Sequence, residues 1–353
     1  MTKHGSSGKG LIITAAVLCL FSVFIIMLGS AGQADPIQAA ATGEPQSADS
    51  SDATGKLENI SSDNSADNST DESAGSNSVD AADSPATILQ SIHYNEKDFF
   101  KSVMSVANMK EEQIYNTDPI IGGVVPHHLL AANMIAEFFQ AISQDPPETI
   151  VVVAPNHRRI GMTALHTSSL DWRTSFGILE ADRELVSSLI DNLGAAENDS
   201  LMELEHSISG LVPYIRYYLP DTKIVPILLH GNYSEADSKK LGEHLAGTVQ
   251  DNPEIMVIAS IDFSHYLDID TANRMDEITL KAIESRDTKA IIRMGNDNID
   301  SPPSILTLLR AMDVLGAEGP LVTGHSNSFI IAGGGAGYTT SYYTMLFRRN
   351  SDE

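Results

Sequence analysis

Four short apolar runs in this chain each end in a histidine-bearing tail. Residues 120–125 lead into Pro126-His127-His128, and residues 149–154 into Pro155-Asn156-His157. Residues 224–229 lead into His230, and residues 255–260 into Ile261-Asp262-Phe263-Ser264-His265. Imidazole is the commonest protein ligand for Zn, Fe and Cu, and it also serves as acid or base near neutrality. A single histidine is more often a hydrogen-bonded structural residue than a functional one. Four at equivalent positions form a pattern that a structural role explains poorly. The chain has one cysteine, Cys19, so an internal disulfide and a Cys-based zinc cluster are excluded. Any metal centre here has to be built from His, Asp and Glu.

The elements that carry these residues can be read from the same runs. They are rich in Ile and Val without polar alternation, which suits strands buried on both faces. Between them lie helical patterns over 129–142, 182–193, 207–219, 235–250, 272–286, 288–294 and 302–315, and a last strand falls within 337–347. Strand alternating with helix predicts an α/β fold, a mainly parallel sheet flanked by helices. In such sheets ligands bind at the carboxyl ends of the strands, where the four tails are delivered.

Composition divides the chain in three. The 353 residues hold 47 acidic and 22 basic groups, a net charge of −25, which excludes duplex nucleic acid as the main partner. Residues 11–28 are eighteen uncharged, mostly apolar residues behind Lys3 and Lys9. We read 1–32 as a membrane anchor or a cleaved signal, with the folded domain held outside the cytoplasm or secreted. Residues 33–85 carry eleven acidic residues and one basic, Lys56, and no aromatic, so they read as a disordered acidic linker. Residues 86–349 are long enough to bury one sizeable core.

Six segments, in this order and spacing, resemble the Memo-like proteins, also called AmmeMemoRadiSam system protein B. They are VVPHH at 124–128, VVAPNHRRIG at 152–161, EHSISGLVPYI at 205–215, PILLHG at 226–231, ASIDFSHYL at 259–267 and AGYTTSYY at 336–343. The resemblance covers roughly 118–348. It implies a fold similar to class III extradiol dioxygenases, which use non-haem iron. It places metal-ligand histidines on His127 and His157, a pocket Asp-x-x-His pair on Asp262 and His265, and a further pocket histidine on His206. The family's third ligand is a cysteine, and this chain has Asp300 there.

Two readings of Asp300 stand side by side. As a ligand it completes a two-His-one-carboxylate set with His127 and His157, which suits Fe(II) with open positions. As a helix cap it serves, with Ser301, the helix opened by Pro302 and Pro303. Asp262 could orient His265 as a proton shuttle, or both could bond loop backbone. His206 could cap a helix or enter the pocket. His128 reads as pointing away from His127, His230 as closing a loop, His325 as lying on the pocket rim, and His166 and His244 as surface residues. The glycines at 333–337 lack the features of a phosphate-binding loop, and Ser264 is not in a hydrolase elbow.

The function expected from all this is a membrane-tethered, metal-binding Memo-like protein with non-haem iron oxidoreductase chemistry. Its catalytic residues would be His206, Asp262 and His265, and its metal ligands His127, His157 and Asp300. The cofactor would be a divalent metal, iron foremost, with zinc or copper as alternatives. The partners would be a small molecule or peptide in the His-rich pocket and the membrane through the N-terminal helix. Two alternatives stand beside it: a non-catalytic binding module on the same fold, and a zinc-dependent hydrolase.

Overall fold

Eleven strands and their helices are described in a computed structural model covering residues 88–107, 118–334 and 337–350. In chain order the strands are β1 (Leu89–Gln90), β2 (Ile120–Val125), β3 (Thr149–Pro155), β4 (Leu165–Thr167), β5 (Trp172–Thr174), β6 (Gly177–Leu179), β7 (Ala196–Glu197), β8 (Lys223–Leu229), β9 (Ile255–Ser260), β10 (Glu318–Asn327) and β11 (Ser341–Arg348). Eight of them form one mixed sheet in the order β10-β11-β2-β9-β3-β8-β4-β7. Its centre, β2-β9-β3-β8, is parallel throughout. β11 runs antiparallel to β2, and β10 antiparallel to β11. A second, three-stranded sheet has the order β1-β5-β6. All described residues belong to one unit, Ser78–Glu353.

Strand β3 shows how the sequence builds two apolar layers. Val151 and Val153 enter a core with Leu241 and Leu245 of the helix Glu235–Asp251 and Leu308 and Met312 of the helix Pro302–Val314. Ile150, Val152 and Ala154 face the opposite core, with Phe138 and Phe139 of the helix Ala132–Ile142 and Tyr214 and Ile215 of the helix Val212–Tyr218. With helices on both faces, alternate side chains must all be apolar, so the run shows no alternation. The two glycines of β2 admit the closest approach. A Cβ on Gly122 would lie 2.5 Å from Met312 Sδ, and one on Gly123 would lie 2.6 Å from the Phe138 ring.

The four expected central strands and the helices near 182–193, 235–250, 272–286 and 302–315 are present. The helix expected over 207–219 is broken into His206–Ser209 and Val212–Tyr218. Pro213 sits in the first turn of the second piece, where its missing N–H costs nothing.

The membrane expectations need correction. No helix among the described residues is long and apolar enough to cross a membrane. A span needs about 20 mostly apolar residues, and the 17-residue helix Glu235–Asp251 is amphipathic, with Glu235, Lys239, Lys240 and Glu243 along it. The membrane tether, the membrane as partner, and the location inferred from it are therefore withdrawn. The segment on which they rested, 1–32, and the expected linker 33–85 lie outside the described residues.

Candidate metal centre

Adjacent strands deliver the central groups. β2, β9 and β3 are neighbours about 4.8 Å apart, and their carboxyl ends carry His127, Asp262 and His157. Asp300 comes from the segment before the helix Pro302–Val314. It is held against the β9 tail by an antiparallel bridge between Phe263 and Ile299. The Asp300 N–H donates to Asp262 O at 3.1 Å, and the Asp262 N–H returns a bond to Asp300 Oδ2 at 3.2 Å.

Asp300 is not the helix cap. Ser301 is the N-cap, and its hydroxyl accepts from the Ser304 N–H. The Asp300 carboxylate is buried between two imidazoles, with Oδ2 3.2 Å from His127 Nε2 and 3.4 Å from His157 Nε2. Its other oxygen, Oδ1, is buried with no partner among the described residues. Asp262 approaches the same nitrogen, with Oδ2 3.6 Å from His127 Nε2. Asp262 Oδ1 accepts the N–H groups of His127, at 3.1 Å, and His128, at 3.5 Å.

The tautomers follow from the hydrogen bonds on the other ring nitrogens. The Ser260 hydroxyl donates to the Ser207 carbonyl at 2.6 Å. Its single proton is thereby used, so towards His127 Nδ1, at 3.2 Å, it accepts. His157 Nδ1 faces Glu205 Oε1 at 3.0 Å, and an ionised carboxylate only accepts. Both histidines therefore carry a proton on Nδ1 and turn Nε2 toward Asp300. Glu205 is fully buried and also accepts from the His157 N–H, at 2.9 Å, while its Oε1 lies 3.1 Å from His206 Nδ1. The rings of His157 and His206 stack with centroids 4.5 Å apart.

Two neutral Nε2 lone pairs aimed at a carboxylate oxygen repel one another unless a cation lies among them. Protons are one answer. Burial pushes His127 down, but Asp262 and Asp300 more than offset it, and its pKa ends above the ordinary 6.5. Burial likewise opposes His157, yet its bonds to Asp300 and Glu205 push it up to about 10. Against burial, His157 and His206 hold Glu205, and His127 and His157 hold Asp300, well below the usual carboxylate range. A metal ion is the other answer. Ligand atoms about 2.1 Å from one ion lie about 3.0–3.4 Å apart at octahedral or tetrahedral angles. The two separations at Asp300 Oδ2 fall in that range, and the donor set is one that divalent metals accept. Potential ligand atoms also cluster in the sets His127, His157, His206 and His127, Asp262, Asp300.

The remaining expected residues are placed as follows. His206 joins the cluster, half-exposed. No hydrogen bond joins His265 to Asp262 among the described residues, and the buried Nδ1 of His265 has no partner. His128 turns away to meet the Tyr342 hydroxyl. His230 stays in its own turn, accepting from the Asn232 N–H at 3.4 Å. His325 stacks on Tyr343 and meets Asp276 at 3.1 Å. His166 is a correction: it is buried on β4, because the chain folds Gly161 over its ring. His244 is half-buried, 3.2 Å from the Ser188 hydroxyl. Sequence reasoning missed Glu205 and Ser260. The signals were present, an acid directly before His206 and a serine closing β9, but neither shows which ring nitrogen it holds.

Comparisons with known proteins agree with this architecture. The family model described as Memo-like protein matches residues 94–336. A MEMO1 family protein of Pyrobaculum aerophilum is 31% identical over 240 residues, spanning 65% of this chain and 84% of its own. One from Pyrobaculum arsenaticum is 27% identical over the same shares of the two chains. An uncharacterized protein of Escherichia coli K12 overlaps 65% of this chain and all of its own, at a TM-score of 0.45 and 14% identity, a likeness too distant to bear on the chemistry. The family match, which covers most of the chain, and the P. aerophilum relative together make this chain a member of the Memo-like protein family.

Proposed function

We propose that this protein binds one divalent metal ion through His127 Nε2, His157 Nε2 and Asp300, within a domain spanning 86–349, and that the ion is Fe(II). The observation that carries the reading is the convergence of two imidazoles, each with its proton fixed on Nδ1, on the one oxygen Asp300 Oδ2. The partnerless Asp300 Oδ1 supports it, since a buried carboxylate oxygen left bare is costly and a cation relieves it. Two histidines and one carboxylate leave an Fe(II) ion with open positions for substrate and O2.

The chain's own groups do the rest. Glu205 fixes the His157 tautomer and ring angle, and Ser260 does the same for His127. Asp262 holds the His127 backbone. His206, with Nδ1 tied to Glu205, is placed to give or take a proton at the exposed side. The shuttle expected of Asp262 and His265 is not carried forward, because Asp262 is engaged with backbone N–H groups.

The test is metal content. The full chain would be loaded anaerobically with Fe(II), desalted and measured by elemental mass spectrometry beside Asp300→Asn. Close to one iron per chain, lost in the variant, is the expected result. Zinc retained in that same pattern would instead make this a zinc centre with an activated water. Wild-type protein that holds no metal, or a variant that keeps all of it, would overturn the reading.

A further inference from the structure

The exposed side of the centre collects positive and hydrogen-donating groups in a chain of net charge −25. Arg158 follows His157 directly, and its Nε donates to Leu204 O at 2.8 Å, which lays the guanidinium beside the segment carrying Glu205 and His206. The two terminal nitrogens of Arg158 have no protein partner among the described residues. The turn that presents Arg158 is sharply formed. Asn156 Nδ2 donates to Ile160 O at 2.8 Å, and Arg159 lies in the left-handed region with φ 51°. That backbone geometry is uncommon for a non-glycine residue and collects at functional sites.

His93 reaches the same edge from the other direction. It lies just before the matched residues 94–336, so the family match does not cover it. Its Nδ1 is 2.5 Å from the Ser209 hydroxyl, and its ring centroid is 6.2 Å from that of His206. Ser91 ties the same loop down by donating to Ser209 O at 3.1 Å. Gly210 permits the approach, since a Cβ there would sit 2.9 Å from His206 O and 3.6 Å from His93 O. Burial, then the charges of His206 and Arg158, push the His93 pKa down, so the three groups share one field. Glu205, the acid bonded to His206, lies fully buried and is already taken by the imidazoles.

We propose that Arg158 and His93, beside His206, form an oxyanion clamp at the open edge of the centre, whose ligand carries a carboxylate or phosphate group. This names the substrate class for the metal-centre reading above and rests on that reading for its chemistry, though not for its binding. A guanidinium fork with two free N–H ends matches a carboxylate or phosphate edge. When the Ser209 hydroxyl donates to Nδ1, the His93 proton sits at Nε2, available as a further donor. With a Debye length of about 8 Å at physiological salt, the more distant acidic groups of the chain are largely screened from this edge.

The test uses the metal-free full chain, titrated calorimetrically at constant ionic strength with inorganic phosphate and, separately, with propionate. Saturable binding of one or both, weakened at least about tenfold in Arg158→Gln and several-fold in His93→Gln, is expected. Phosphate alone or propionate alone would identify the group. No saturable binding of either, or binding unchanged in Arg158→Gln, overturns the clamp. Binding lost in Arg158→Gln but unchanged in His93→Gln overturns the part given to His93. Arg158 is exposed, and its backbone N–H bond to Glu205 Oε2, at 3.4 Å, survives the substitution although the side-chain bond to Leu204 O is lost, so the variant should fold with wild-type metal content. Failure of the metal reading would show in metal content alone, and failure of the clamp in anion binding alone.

Discussion

Glu205 grips His157 at two points, accepting its backbone N–H at 2.9 Å and facing its Nδ1 at 3.0 Å. One buried carboxylate thus fixes the position of the residue, the plane of its ring and its tautomer. Glu205→Gln keeps the shape but can present an amide N–H to Nδ1, which favours the wrong tautomer. We expect metal affinity to fall about 10–100-fold, read by competition with a chromophoric chelator. An affinity equal to wild type would show that Glu205 does not orient the ligand.

Ser301 and Asp300 are neighbours with separable roles. Ser301→Ala removes the cap of the helix Pro302–Val314 and should cost about 1 kcal/mol of stability while leaving metal content intact. Asp300→Asn should remove the metal. Urea unfolding beside elemental analysis of both variants checks the pair. Metal loss in Ser301→Ala comparable to that in Asp300→Asn would contradict this division.

The metal-free protein should be most stable in mildly acidic solution. His157 is raised from 6.5 to about 10, so its contribution is complete below 6.5 and is lost as pH climbs toward 10. Glu205 and Asp300 are depressed from 4.5 and 3.8, so their contribution is present above those values and is lost as pH falls below them. The melting temperature should therefore peak between about 4.5 and 6.5 and decline on both sides. In Asp300→Asn the alkaline decline should be shallower. Thermal melts across pH, with chelator present, would reveal a flat alkaline limb if the coupling is absent.

Gly123 faces the Phe138 ring, and a Cβ there would lie 2.6 Å from two ring carbons and 3.0 Å from Met345 O. Gly123→Ala should destabilise the domain by about 1–3 kcal/mol. Adding Phe138→Leu should recover part of that loss, since the ring is the movable neighbour. Chemical denaturation of the two single variants and the double variant measures the coupling, and strict additivity would refute the contact.

The sheet's centre was legible because β2, β3, β8 and β9 are buried on both faces and therefore read as unbroken apolar runs. Their polar tails were legible by position, although only the β2 and β3 tails bring a histidine into the cluster, while His230 stays in its own turn. β10 was not legible: as an edge strand it alternates exposed and half-buried residues, with glycines at 319 and 324. The short strands β1, β4, β5, β6 and β7 hold two or three residues each, too few to show a period. Asp300 remained divided between cap and ligand because sequence places it one residue from the true cap, and only burial separates the two. Glu205 was seen as a neighbour of His206, while its bond to His157 joins residues 48 apart. His93 was missed because its partner Ser209 is 116 residues away.

The place of β11 sets a schedule for synthesis. β2 carries His127 and is paired on one side by β9 and on the other by β11, the last strand described. A growing chain therefore emerges with β2 made but both its edges open. Roughly 220 residues must follow before Ser341–Arg348 can close the outer one, about ten to forty-five seconds at usual elongation rates. Through that interval an apolar strand with bare N–H and C=O groups is a template for pairing with other chains. The strand end that carries His127 is thus among the last parts of the molecule to mature, and a chain halted late holds His127, His157 and Asp300 without the strand that closes β2.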